Sequence, residues 1–186
     1  KITKAEISSK SNIFVIATEN GMFSIYDSNT FENKYSLQIT DTKINSLSIS
    51  NNGSQLLFGS RIAQQILVWD WKSESYNFKT QGHDFDISAL SLSTDSNFLV
   101  SGSGDGKIKV WDTNTANCLF TFTQHNAKIT DLKFPANKMN LFISSSNDGT
   151  VRAFDLVKFN IKLILIIFEF FYFKQIIHST HFSKLI

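Results

Sequence analysis

Two sets of residues in this chain are of the types that perform acyl transfer: His83, Ser101 and Asp105, and His125, Ser144 and Asp148. A serine becomes a nucleophile when an imidazole takes its proton and a carboxylate orients that imidazole. A triad also needs an exposed nucleophile and an oxyanion hole, and nothing around Ser101 or Ser144 signals either. The competing reading is a buried hydrogen-bonded chain that ties strands to turns. Three other motifs carry possible chemistry. Gly102-Ser103-Gly104-Asp105-Gly106 looks suited to phosphate, but the sixth position is Lys107 and a strand pattern follows, where a dinucleotide fingerprint needs glycine and a helix. A β-turn is the better reading. His178-x-x-His181 has no third ligand nearby, so it does not make a metal site. Trp69-Asp70-Trp71 could stack on bases, yet such platforms come with a positive groove that is missing here, and blade packing is favoured.

The elements that position these residues recur. An aromatic–aspartate pair appears four times, at Tyr26-Asp27, Trp69-Asp70, Trp111-Asp112 and Phe154-Asp155, with the aspartates 43, 42 and 43 residues apart. A period in this range marks copies of one supersecondary unit. Within each copy apolar and polar residues alternate over short runs, as in Ile87, Leu90 and Leu92 or Ile108, Val110 and Asp112, which reads as half-buried strands. Asn20-Gly21, Asn52-Gly53, Asp105-Gly106 and Asp148-Gly149 allow positive φ and suit tight hairpins. A further strand candidate follows each aromatic–aspartate pair: Lys34 to Ile39, Ser75 to Lys79 and Cys118 to Phe122. Four strands per unit, with no amphipathic helix before residue 158, predict an all-β chain of propeller blades.

At this spacing Gly82-His83, Asp105 and Trp111-Asp112 resemble the WD40 family, over residues 1 to about 158. The resemblance implies a structural tetrad of His83, Ser101, Asp105 and Trp111 in copy three, and a partial tetrad of His125, Ser144, Asp148 and Phe154 in copy four. Phenylalanine has no indole N–H, so the second chain should lose its last donor. The first two copies lack most of the tetrad. The expected fold is therefore a partial WD40 β-propeller of about four blades with a non-matching apolar C-terminal tail. Seven blades are what the family implies, and the chain starts at Lys1, so it reads as part of a larger propeller.

The stretch Ile66 to Tyr76, followed by Gln81-Gly82-His83, is more distinctive than the generic repeat. Together with Asp105 to Trp111, Phe120 to His125 and Asp148 to Leu156, it resembles the periodic tryptophan protein 2 family. Ser73-Glu74-Ser75-Tyr76 adds weight because blade physics does not require it. This resemblance implies a nucleolar, non-catalytic scaffold in ribosome biogenesis. Such proteins sit in the small-subunit processome and support processing of small-subunit pre-rRNA. The implied partners are other WD40 and helical subunits of a ribosome-assembly subcomplex, with the snoRNP and pre-rRNA contacted indirectly. It implies no cofactor, no small-molecule substrate and no membrane.

Charge agrees with that expectation. Residues 1–157 hold 14 basic and 15 acidic residues, so this part gives no electrostatic footprint for direct nucleic-acid binding. Cys118 is the single cysteine, which fits a reducing compartment. Composition changes after about residue 159. Residues 161–186 hold seven Ile and five Phe but no Gly, Pro, Asp or Asn. A spanning helix needs about 20 mostly apolar residues, and Lys162, Glu169, Lys174 and Gln175 interrupt any such window. The division is thus 1–158 as repeats and 159–186 as an apolar tail. Three readings of the tail are a helix, a translated intron, or an outer strand for blade four followed by a segment packed on an edge.

Loops between repeats are the candidate partner contacts: Asp84, Phe85 and Asp86, then Asn126 and Lys128. Phe85 is the expected anchor, since aromatic residues are enriched among hot spots. Two rival functions remain from the residues alone. One is a WD40 adaptor in another complex, such as a ubiquitin-ligase receptor or a trafficking coat. The other is a propeller-based hydrolase, for which no convergent acidic or histidine cluster is found.

Overall fold

The computed structural model describes residues 1–8, 10–60, 64–135, 138, 140–158 and 160–166. Sixteen strands form four antiparallel sheets, each a simple up-and-down meander, and no helix occurs among the described residues. The first sheet holds β1 (Ile2–Ser8), β2 (Ile13–Thr18), β3 (Met22–Asp27) and β4 (Asn33–Gln38). The second holds β5 (Ile44–Ile49), β6 (Gln55–Ser60), β7 (Gln65–Asp70) and β8 (Ser75–Gln81). The third holds β9 (Ile87–Leu92), β10 (Phe98–Ser103), β11 (Ile108–Asp112) and β12 (Cys118–Phe122). The fourth holds β13 (Ile129–Lys133), β14 (Leu141–Ser146), β15 (Thr150–Asp155) and β16 (Asn160–Ile166). The opening part of the apolar tail is therefore the outer strand of the fourth sheet. Residues 167–186, on which the helical and intron readings fall, lie outside the described residues.

The sheets are propeller blades. Their first strands, β1, β5, β9 and β13, pack side by side in chain order, so the blades radiate from a shared axis. Each of these inner strands carries a β-bulge at the same place, with Thr3, Asn45, Ser88 or Thr130 as the extra residue. A bulge increases the local twist and bends the strand, which suits a strand that must face both the axis and the neighbouring blade. Ser88 also reaches across, donating from Oγ to the Ile129 carbonyl of the next blade at 2.5 Å.

The cores lie between blades. The forward face of blade one (Ile13, Val15, Ala17, Phe23, Ile25) meets Ile44, Leu47, Leu56, Phe58, Leu67 and Trp69 of blade two. Leu57, Ile66 and Val68 then meet Ile87, Leu90, Leu99 and Trp111 of blade three. Val100, Ile108, Val110 and Phe122 meet Ile129, Leu132, Phe142 and Phe154 of blade four. Strict alternation along each strand sends every second side chain to one interface and the rest to the other. The first residues of β9 and β13 are each keyed against a glycine of the blade before. A Cβ on Gly59 would stand 2.7 Å from Ile87 Cγ2, and one on Gly102 would stand 2.5 Å from Ile129 Cγ2.

The turns follow the sequence closely. Gly21, Gly53, Gly106 and Gly149 all take positive φ. At Gly106, with φ +85°, an added Cβ would also lie 2.6 Å from the His125 carbonyl oxygen. The turn tip of blade three is thus pressed against the loop leading into blade four. Each aspartate of the aromatic–aspartate pair caps its own turn. Oδ1 accepts the backbone N–H groups two and three residues on, at 2.8 and 3.2 Å for Asp27, 2.9 and 3.2 Å for Asp70, 2.8 and 3.1 Å for Asp112, and 2.8 and 3.1 Å for Asp155. Such Asx turns give the backbone partners that a strand cannot supply at its end. The Lys34 ammonium, 2.6 Å from Asp27, joins the two backbone N–H groups in holding that carboxyl down to about 2.

Candidate interaction site

In blade three the Trp111 indole donates to Ser101 Oγ at 2.9 Å, and Ser101 Oγ lies 2.7 Å from His83 Nε2. The serine accepts from the indole, and which of Oγ and Nε2 donates in the second bond is set by the imidazole tautomer. Asp105 does not reach the other ring nitrogen, Nδ1. Its carboxylate takes the Lys107 backbone N–H at 3.1 Å and the Lys107 ammonium at 3.2 Å. His83 Nδ1 is left buried with no partner among the described residues. Burial, followed by the nearby Lys109 cation, pushes His83 down to about 4.

Blade four completes the link that blade three leaves open. His125 Nδ1 lies 2.7 Å from Asp148 Oδ2 and Nε2 lies 2.6 Å from Ser144 Oγ. Thr150 explains the difference, because it stands where Lys107 stands in blade three. Its hydroxyl and N–H both occupy Asp148 Oδ1, at 2.6 and 2.9 Å, and leave Oδ2 to the imidazole. Arg152 adds its guanidinium 3.6 Å from the same Oδ2. Burial opposes ionisation of Asp148, but the bonds from Thr150, His125 and Asn126 hold its carboxyl well below the usual range. Burial also pushes His125 down, against the pull of Asp148. Phe154 supplies no donor to Ser144, and instead packs 4.5 Å from Phe122 and stacks 5.0 Å from Phe142.

The His–Ser–Asp sets therefore have the connectivity of a triad in blade four and the exposure of a core. Ser101 and Ser144 are both at 0% exposure, so neither hydroxyl can meet a substrate. The other weighed motifs also resolve structurally. Trp69 is buried, and the Trp71 indole donates to the Gly53 carbonyl at 2.8 Å, so neither indole offers a free stacking platform. Gly102 and Ser103 close β10, and Gly104 to Gly106 lie in the turn into β11. No group of three or more His, Cys, Asp or Glu side chains could hold a metal among the described residues, and His178 and His181 lie outside them. No helix among the described residues is long and apolar enough to cross a membrane.

One contrast gives a direct test of the tetrad. Trp69 stands at the place of Trp111, but Phe58 replaces the serine, and Trp69 Nε1 has no acceptor among the described residues. Trp111→Phe should therefore cost about 1–2 kcal/mol beyond its packing change, because Ser101 loses a buried donor. Trp69→Phe should cost less, since it removes an orphan N–H. Urea midpoints of the two variants, compared at unchanged slope, check the difference; equal losses would count against it.

The loops between repeats cluster at one end of the blades, where the hairpin glycines 21, 106 and 149 also lie. Asp84 and Phe85 are exposed, Phe85 at 55%. Asp86 is less free, since its carboxylate lies 3.6 Å from Lys128 Nζ and its carbonyl accepts from Gly104 N–H at 3.0 Å. Gln64 Nε2 pins the Asp84 carbonyl at 2.7 Å. Asn126 is exposed while its N–H is held by Asp148 at 3.2 Å. The loop leading into blade three thus presents an exposed aromatic between two carboxylates, and the Asp86–Lys128 pair ties it to blade four. Two features escaped the sequence. Glu6 and Lys133, at equivalent places on the first and fourth inner strands, meet at 3.1 Å across the axis. Phe31, four residues past Asp27, is 70% exposed with φ 59°. Its signal was an aromatic where the second and third copies carry Glu74 and Ala116.

Comparison with known proteins follows the same lines. The family described as WD domain, G-beta repeat matches residues 74–112 and 116–155. The periodic tryptophan protein 2 homolog of Dictyostelium discoideum is 37% identical over 151 residues, 81% of this chain and 16% of its own length. Periodic tryptophan protein 2 of Arabidopsis thaliana is 36% identical over 159 residues, 86% of this chain and 18% of its own. The chain thus spans less than a fifth of these relatives. A solved structure of U3-55K superposes with a TM-score of 0.78 over 88% of this chain and 51% of its own, at 19% identity, a likeness of fold.

Proposed function

The chain is a WD40 repeat protein that resembles the periodic tryptophan protein 2 family, and from that premise we propose that it is a non-catalytic scaffold in ribosome biogenesis. It serves within the small-subunit processome, in the nucleolus, and supports pre-rRNA processing by holding other subunits together. Residues 1–158 are the recognisable repeats, extended by β16, and form part of a larger propeller. The observation that carries the reading is the extent of the identity. It runs over 151 residues and so covers loops as well as the strand positions that any blade needs. The buried serines support a structural use of the tetrad and weigh against a hydrolase.

The mechanism is assembly on a preorganised surface. Blade sheets fix the loops, so ordering them costs little when a partner binds. Asp84, Phe85, Asn126 and Lys128 form the partner-facing patch, with Phe85 its anchor. RNA is reached through protein partners, in keeping with the near balance of charge over residues 1–157.

Affinity purification of the tagged chain from its own cells tests the proposal. Ribosome-assembly factors are expected, and nuclease treatment should leave them bound. Phe85→Ala should lower their recovery about tenfold without lowering the melting temperature, since the ring is exposed. Recovery of coat or ubiquitin-ligase subunits with no assembly factors would reject the assignment.

A further inference from the structure

The turns from β10 into β11 and from β14 into β15 share one backbone. Gly106 N–H donates to the Ser103 carbonyl and Gly149 N–H to the Ser146 carbonyl, each at 3.2 Å, and the two glycines take φ of 85° and 79°. Each turn is tied in the same way to the loop entering its own blade. Gly104 N–H donates to the Asp86 carbonyl at 3.0 Å, and Asn147 N–H to the Lys128 carbonyl at 2.9 Å. The side chains on this common frame differ. In blade four Asp148 Oδ2 lies 2.7 Å from His125 Nδ1 and takes the Asn126 N–H at 3.2 Å, while Ser146 Oγ donates to the Ala127 carbonyl at 2.9 Å. One carboxylate and one hydroxyl thus fasten three successive loop residues. In blade three the matching residues are His83, Asp84 and Phe85, and they are not fastened so. His83 Nδ1 and Ser103 Oγ are both buried without a partner among the described residues, and Asp105 is turned to Lys107.

Nothing in the backbone keeps Asp105 from His83, because the frame that lets Asp148 reach His125 is present. Residue 107 makes the difference. The Lys107 ammonium sits 3.2 Å from Asp105 Oδ2, and the matching oxygen of Asp148 is the one that meets His125. Thr150 binds only Oδ1 of Asp148 and leaves Oδ2 to the imidazole. The Lys107 side chain is 42% exposed, and an ion pair of that kind is a weak hold. A buried ring nitrogen without a partner is itself unfavourable. The two positions of the carboxylate therefore lie close in free energy, and one charge decides between them.

We propose that Lys107 is a positioning residue for the loop of Phe85: its charge keeps Asp105 at the turn, and loss of that charge moves the carboxylate onto His83 Nδ1 and the Asp84 N–H. The consequence for binding rests on the reading of Phe85 as a partner anchor. A loop fastened at His83 and Asp84 has less freedom to lose, so a partner holds Phe85 more tightly. Lys109 is a second cation near His83, but it lies over the Trp111 ring, 5.7 Å from its centre, and is not paired with Asp105.

Nitrogen-15 NMR of the histidine rings in the full chain tests the proposal. His125 donates from Nδ1 to a carboxylate, so it gives a downfield, slowly exchanging ring N–H in every variant and shows that each is folded. Lys107→Thr and Lys107→Met should each add a second such signal, which His83→Gln removes, and should slow exchange of the Asp84 amide at least about tenfold. Lys107→Arg and Lys109→Met should do neither. The methionine variant isolates the charge, because it brings no hydroxyl of the kind that Thr150 supplies. A His83 signal already present in the parent, its absence from the threonine and methionine variants, or its gain with arginine would overturn the proposal. In affinity purification Lys107→Met should raise recovery of assembly factors about threefold, and adding Phe85→Ala should erase the gain. New ring and amide signals with recovery indifferent to Phe85→Ala would uphold the role of Lys107 and reject Phe85 as anchor. Recovery that depends on Phe85, with no new signal in Lys107→Met, would do the reverse.

Discussion

Phe154→Ala is expected to lower the stability of the chain by about 3–5 kcal/mol. The ring is fully buried, lies 4.5 Å from Phe122 of blade three and stacks 5.0 Å from Phe142 of its own blade. Those rings are themselves locked between two sheets, so the space left by the lost phenyl cannot collapse, and both the transfer and the cavity costs fall on the fold. Phe154→Trp separates packing from hydrogen bonding. It restores a donor toward Ser144, a gain of about 1 kcal/mol, but adds volume to a filled interface at about 1–3 kcal/mol. The net expectation is a smaller loss than for alanine. Urea unfolding of the three proteins checks the order. An alanine variant within about 1 kcal/mol of the parent would mean that blades three and four do not share a packed core.

The period of the aromatic–aspartate pair was enough to place every sheet, because one residue in two must face a neighbouring blade and the turn dipeptides leave little choice of register. The tetrad was legible as residues but not as bonds. Sequence puts Asp105 and Asp148 in the same position, yet only Asp148 reaches its histidine. The decision is made two residues on, where a lysine can compete for the carboxylate in a way that a threonine cannot. The Glu6–Lys133 pair was hidden for another reason. The two residues are 127 positions apart, and only the number of blades between them brings their strands to opposite sides of one axis. The opening residues of the tail read as text of a different kind, since a mostly apolar outer strand, interrupted only by Asn160 and Lys162, breaks the alternation seen in β4. Their pairing with β15 comes from tertiary context, which overrides local pattern in sheets.

The second large effect is on acid stability, and it turns on the histidines. A buried imidazole whose pKa falls on folding is held neutral in the native state. Between the unfolded value near 6.5 and the folded value of about 4, the unfolded chain binds more protons than the native one. Stability from His83 is therefore complete above about pH 6.5 and drains away as pH falls toward 4. The span corresponds to about 3 kcal/mol. His125 is shifted in the same direction and adds to the fall. The aspartates do not share this window. Asp27 and Asp148 have lowered values, so their contribution is intact above about pH 4 and is lost only below it. Acid should thus act in two stages, histidines first and carboxylates second. Urea midpoints measured from about pH 7 to about pH 4 are expected to fall steeply for the parent chain. His83→Gln should start lower at neutral pH, where the Ser101 bond is weakened, yet lose about 3 kcal/mol less over the range. If the variant and the parent fell in parallel, His83 would be as well solvated in the folded chain as in the unfolded one, and the closed interface between blades two and three could not stand.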